Sequence, residues 1–171
     1  MLLNNGKKRI PIGYEDFKEI IDGKFYYVDK TMLIYHLLCN GGKNNLITRP
    51  RRFGKTLNFS MLRYFFDVTE KDNAYLFDGL KISEHYDELA MYRNTHPVIT
   101  LSLKSAKQGS YAEALKKLKY EIQGQFINNK FILDSDKIND ELKSEYRRIL
   151  NMDEDAEWSG AIKLLSLCLK Q

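Results

Sequence analysis

The sequence predicts an α/β domain built around a mainly parallel sheet. Two short apolar runs carry that prediction, residues 46–48 (Leu-Ile-Thr) and 98–103 (Val-Ile-Thr-Leu-Ser-Leu). Both lie between stretches whose apolar residues recur at helical spacing. Parallel strands need a long crossover, usually a helix, so this alternation points to that class. The third observation is a strand–loop–helix order around a basic loop, residues 49–54. A chain of 171 residues is sized for a single domain with a sizeable core. With 43% hydrophobic and 29% charged residues, disorder over most of the length is excluded.

Taken in order, residues 14–22 place Phe17, Ile20 and Ile21 on one helix face, closed by Gly23. Residues 25–28 are aromatic and extended. Asp29 is placed to cap a helix with Met32, Leu33, Leu37 and Leu38 as its buried stripe, ended by Gly41 and Gly42. The first strand follows at 46–48. A helix then begins near Lys55 and carries Leu57, Met61, Leu62, Phe65 and Phe66. Residues 75–82 are mixed, with a turn at Asp78 and Gly79, and a helix is expected through 85–92. Pro97 opens the second strand. Residues 111–127 are helical by the spacing of Ala114, Leu115, Leu118, Ile122 and Phe126. Two more helices are expected over 136–150 and 156–169, with Asp134 and Asp136 as caps and Trp158 as a packing residue.

Cys39 and Cys168 sit far apart in apolar helical contexts and read as two buried thiols, without the clustering of a disulfide framework or a zinc site. No apolar run reaches membrane-spanning length. At the N-terminus two leucines precede Lys7, Lys8 and Arg9, the reverse of a secretory signal, so a cytoplasmic location is expected. The net charge of +4 favours anionic partners only weakly.

The chemistry concentrates in residues 46–56, Leu-Ile-Thr-Arg-Pro-Arg-Arg-Phe-Gly-Lys-Thr. In a phosphate-binding loop of the P-loop (Walker A) type, backbone N–H groups and the helix N-terminus face a phosphate. Gly54 lets the backbone approach closely, Lys55 reaches the β- and γ-phosphates, and the Thr56 hydroxyl binds Mg²⁺. The usual first glycine is replaced by Arg49, and Pro50 has no N–H to donate. The candidate nucleotide-binding set is Arg51, Arg52, Phe53, Gly54, Lys55, Thr56 and Leu57. A solvated basic turn is the competing reading of the spacing alone.

The sequence also resembles the predicted AAA-ATPase-like proteins of bacteria, which often carry a PD-(D/E)XK nuclease-like domain at the C-terminus. The resemblance rests on Phe-Tyr-Tyr-Val-Asp-Lys-Thr at 25–31, the loop with its following Leu57, Leu-Arg-Tyr-Phe-Phe at 62–66, Leu-Phe-Asp-Gly-Leu-Lys-Ile at 76–82 and Pro-Val-Ile-Thr-Leu-Ser-Leu at 97–103. It implies a P-loop NTPase-like three-layer fold that binds ATP with Mg²⁺, and it makes the missing first glycine a family variant. By analogy, Tyr27, Asp29 and Thr31 line the base side of the site; core packing and helix capping are their alternatives. The acidic (Walker B) strand that holds Mg²⁺ in the family is not found. Residues 98–103 end in Lys104 and Ser105, Asp134 and Asp136 read as caps, and Asp153, Glu154 and Asp155 read as a turn. The expectation is therefore a partial domain over 1–171, truncated before that strand and without the nuclease-like domain. Hydrolysis stays open, and an exposed sheet edge would promote self-association. The alternative is nucleic-acid binding, through the arginine loop and the lysines Lys116, Lys117 and Lys119 with aromatic help from Phe25, Tyr26 and Tyr27. The nuclease-like partner domain would make DNA a ligand of the whole protein.

Overall fold

A computed structural model describes residues 8–50 and 52–170. Residues 1–7, which enter the leader reading, and Arg51 of the loop lie outside the described residues. The chain divides into two units, the first ending at Val98 and the second beginning at Ile99. Each has its own apolar core.

In the first unit, Asp16 starts helix α1 (Phe17–Asp22) by accepting the Lys18 N–H at 2.9 Å. The same carboxylate accepts the Ser60 hydroxyl at 2.7 Å, and Ser60 in turn accepts the Phe17 N–H at 3.0 Å. One aspartate thus caps α1 and fastens it to α3 (Lys55–Phe66). Phe17, Phe65 and Phe77 meet in the core with tilted and edge-on rings 5.1 and 5.3 Å apart, the geometry that aromatic quadrupoles favour. Ile34 of α2 (Met32–Asn40), Met61, Leu76 and Ile82 complete the fully buried set. Two 3₁₀ stretches, Val68–Phe77 and Lys81–His85, follow α3 and lead into the single turn α4 (Tyr86–Leu89). The helix expected over 85–92 is confined to that turn.

The C-terminal end of α3 is closed by a distant residue. The Asn94 N–H donates to the Phe65 carbonyl at 2.7 Å, and its carboxamide donates to the carbonyls of Tyr64 and Asp67 at 2.9 and 3.0 Å. His96 adds a bond from its N–H to Phe66, forming an isolated parallel bridge with Asp67. Helix ends leave carbonyls without intrahelical partners, and Asn94 supplies them inside the core.

The second unit packs α5 (Tyr111–Asn128), α6 (Asp140–Leu150) and α7 (Ala161–Leu169). Ser110 caps α5 through the Glu113 N–H at 3.3 Å, and Ile122 and Phe126 turn inward. The Tyr146 hydroxyl donates to the Phe126 carbonyl at 2.7 Å, and the two rings lie 4.6 Å apart. Burial pushes the Tyr146 phenol and the Cys168 thiol above their ordinary values. Trp158 packs against this core, as expected.

The predicted parallel sheet is not the fold. Residues 46–48 and 98–103 run as extended chain without a ladder, and the described residues contain no strand beyond the Asp67–His96 bridge. A parallel strand is stabilised by neighbours on both edges and cover on both faces. Here Leu46 is 89% exposed and Leu103 68%, and the Thr100 N–H is taken by the Gln125 side chain at 3.0 Å. Local β-propensity without a partner strand makes no sheet. The sheet edge expected to drive self-association is absent with it. Cys39 also departs from expectation: it lies exposed in the last turn of α2, while Cys168 is buried. No helix among the described residues is long and apolar enough to cross a membrane.

Candidate phosphate-binding site

The loop between residue 48 and α3 ends on Gly54, which adopts φ 73° and ψ 24° at the N-cap. A Cβ there would meet no neighbouring atom within 4 Å. The backbone angle, rather than the close approach expected from sequence, is what calls for glycine; an ordinary residue pays about 1–2 kcal/mol in this region. Arg52 shares the left-handed conformation, with φ 67°. Two left-handed positions therefore fall within three residues at the helix start.

Lys55 reaches back over the loop. Its ammonium donates to the carbonyls of Arg49 and Pro50, the second at 3.2 Å. Pro50, which can offer no N–H, contributes an acceptor instead. The side chain is thereby folded back over the loop. At the start of α3, Gly54 provides no side-chain cap, and the first intrahelical bond runs from the Asn58 N–H to the Gly54 carbonyl at 2.9 Å. The amides of Lys55, Thr56 and Leu57 precede it, at the positive end of the helix. Thr56 is exposed, Leu57 packs its side chain on the core, and Phe53 is 60% exposed.

The three residues assigned to the base side are engaged elsewhere. Asp29 accepts the Thr31 N–H and hydroxyl at 2.8 and 2.7 Å, and its other oxygen accepts the Lys81 N–H at 2.8 Å. Thr31 is fully buried and accepts the Ile82 N–H at 3.2 Å. The Tyr27 phenol lies 3.5 Å from the Met61 sulfur, and burial pushes it up to about 12. Among the described residues no hydrogen bond joins these three side chains to the loop. Asp29 and Thr31 tie the start of α2 to the 3₁₀ stretch Lys81–His85, and Tyr27 reaches Met61 of α3.

Burial works against the Asp29 carboxylate. The hydrogen bonds from Lys81 and Thr31, helped by the Lys81 charge, outweigh it and hold the group below its usual value. Its stabilising effect is then complete above the unfolded value of about 3.9 and is lost as pH falls through the lower folded value. Asp29→Asn replaces one acceptor oxygen by a donor, so it is expected to cost about 1 kcal/mol at neutral pH. The gap to wild type should narrow below about pH 4. Urea titrations at neutral and acid pH read this directly; a gap independent of pH would mean the charge is irrelevant.

No group of three or more His, Cys, Asp or Glu side chains among the described residues is arranged to hold a metal. Asp134 ends a 3₁₀ stretch, Lys130–Asp134, and Asp153, Glu154 and Asp155 lie in a turn of the second unit.

Residues 11–158 match the family described as AAA-ATPase-like, Predicted AAA-ATPase. The chain belongs to this family. A relative described as "Uncharacterized protein in vnfD 5'region", from Azotobacter chroococcum mcd 1, is 36% identical over 97 residues. That alignment covers 56% of this chain and 17% of the relative, so the AAA-ATPase-like chain spans under a fifth of that protein's length. No solved structure matches it. Sequence reasoning located the Gly54–Lys55–Thr56 step of this AAA-ATPase-like chain at a helix start. It missed the carbonyl pair that holds Lys55, because carbonyl direction is a property of loop conformation and not of residue type.

Proposed function

We propose that the loop 49–56 and the first turn of α3 bind the phosphates of ATP together with Mg²⁺. The observation that carries this reading is the ammonium of Lys55 folded back onto the carbonyls of Arg49 and Pro50, beside uncapped amides. Exchanging neutral carbonyl acceptors for phosphate oxygens strengthens each bond, since charge-assisted hydrogen bonds are about twice as strong as neutral ones. The amides of Lys55, Thr56 and Leu57 and the helix dipole add to the attraction. Thr56 serves as the Mg²⁺ ligand, and the bound ion would neutralise charge between the β- and γ-phosphates. ATP is preferred to GTP on the family description. The proposal is one of binding, because residues 49–57 contain no carboxylate to hold the metal from the protein side.

A ladder of ligands tests it. ATP and ADP are expected to bind, AMP weakly and adenosine not at all, since the grip falls on the outer phosphates. Isothermal calorimetry reads the series. Equal binding of adenosine and ATP would place recognition on the base and sink the proposal.

A further inference from the structure

An exposed tyrosine beside two lysines lies in the other unit, on α5. Residues Glu113, Lys116, Lys117, Tyr120 and Gly124 follow i, i+3 and i+4 spacing and so share one helix face. That face borders a cleft of about 420 Å³ lined by Ser105, Lys117, Tyr120, Glu121, Gly124 and Gln125, within the size range of ligand clefts. The Tyr120 ring is 46% exposed, and the Lys116 ammonium stands 6.0 Å from its centre. That distance is the outer limit of a cation–π contact, so the lysine holds the ring only weakly. Of the two carboxylates nearby, Glu121 is engaged by the Ser105 hydroxyl at 2.8 Å, and Glu113 lies one turn beyond the lysines.

Gly124 is the residue that the fold does not explain. It sits in the interior of an 18-residue helix, where glycine costs about 1 kcal/mol relative to alanine. Its φ is not left-handed, and a Cβ would touch nothing within 4 Å. Neither packing nor backbone geometry demands it. What the missing side chain does is leave bare the cleft floor one turn beyond Tyr120.

We infer that this face binds single-stranded nucleic acid. A base stacks on Tyr120 over the floor left by Gly124, and the flanking phosphates pair with Lys116 and Lys117. Aromatic stacking combined with a short basic track is the physical basis of sequence-tolerant single-strand binding.

The test uses fluorescence anisotropy of the full chain with a labelled oligothymidylate of about 16 nucleotides, the upper size of single-strand sites. Tyr120→Ala is expected to weaken binding about five-fold or more. The double change Lys116→Ala with Lys117→Ala should flatten the log–log salt slope by about 1.4. Gly124→Leu discriminates most sharply. It should weaken binding like Tyr120→Ala while the melting temperature holds or rises, because leucine is the better helix former. Lys163→Ala, on α7, is the control and should change nothing. The proposal is overturned if the folded wild type shows no saturable binding or if the Tyr120 and Gly124 variants bind unchanged. Heparin or an abasic oligomer bound as tightly as oligothymidylate would mark a general polyanion surface and would overturn it equally.

Discussion

Asn94→Ala is expected to destabilise the first unit by about 2–5 kcal/mol. Asn94 is 5% exposed, and its carboxamide is a donor to both the Tyr64 and Asp67 carbonyls. Truncation orphans the Tyr64 carbonyl in a buried setting, at about 1–3 kcal/mol, whereas the Asp67 carbonyl keeps the Glu70 N–H at 3.0 Å. The residue also holds φ 51°, a region that asparagine tolerates and alanine does not. Asn94→Gly separates the two costs. Glycine relieves the backbone penalty but restores neither hydrogen bond, so it should recover about 1 kcal/mol and no more. The only tryptophan, Trp158, lies in the second unit and will not report this loss. Amide exchange along α3 will, with Trp158 fluorescence as an internal control. Protection of the α3 amides unchanged in Asn94→Ala would show that its end is closed by something else.

Lys55→Ala is expected to weaken ATP about 100-fold, the equivalent of roughly 3 kcal/mol for hydrogen bonds from a charged donor to phosphate. Stability should change by less than about 1 kcal/mol, because the bonds from Lys55 to Arg49 and Pro50 lie at the exposed surface. That split matters: a residue that only shaped the loop would shift melting and affinity together. Lys55→Arg keeps the charge but substitutes a planar fork for a compact ammonium, and it should fall between wild type and alanine. Titration of a fluorescent ATP analogue, with thermal melts of each variant, measures both quantities. Equal affinity in Lys55→Ala would remove Lys55 from the site.

The helices were legible where their determinants are local. The apolar stripe through Leu118, Ile122 and Phe126 placed α5 at 111–127, at its observed start and within one residue of its observed end, Asn128. Where two caps compete, boundaries moved. Asp136 was expected at the start of α6, but Asn139 accepts the Leu142 N–H at 2.8 Å and begins it. The sheet was misread because a strand is a non-local object: β-branched residues at 98–103 carry a preference, whereas the ladder depends on a neighbour that no local pattern can certify. Asp29 shows the same division. It was read as the cap of α2, but Thr31 is the N-cap, and Asp29 accepts the Thr31 N–H and the Lys81 N–H, 52 residues away, which no local pattern announces. Asn94 carried no signal beyond being an asparagine near a turn. The helix start at Gly54 and Lys55 lies on the legible side, because a Gly-Lys-Thr step before an apolar stripe is written in consecutive residues.

The central claim is that residues 49–56 grip triphosphate, and the most direct measurement is calorimetric titration of Mg–ATP into the wild-type chain, with folding verified by circular dichroism. The account predicts saturable binding in the micromolar range that weakens when Mg²⁺ is withdrawn. A folded chain that takes up no Mg–ATP would contradict it.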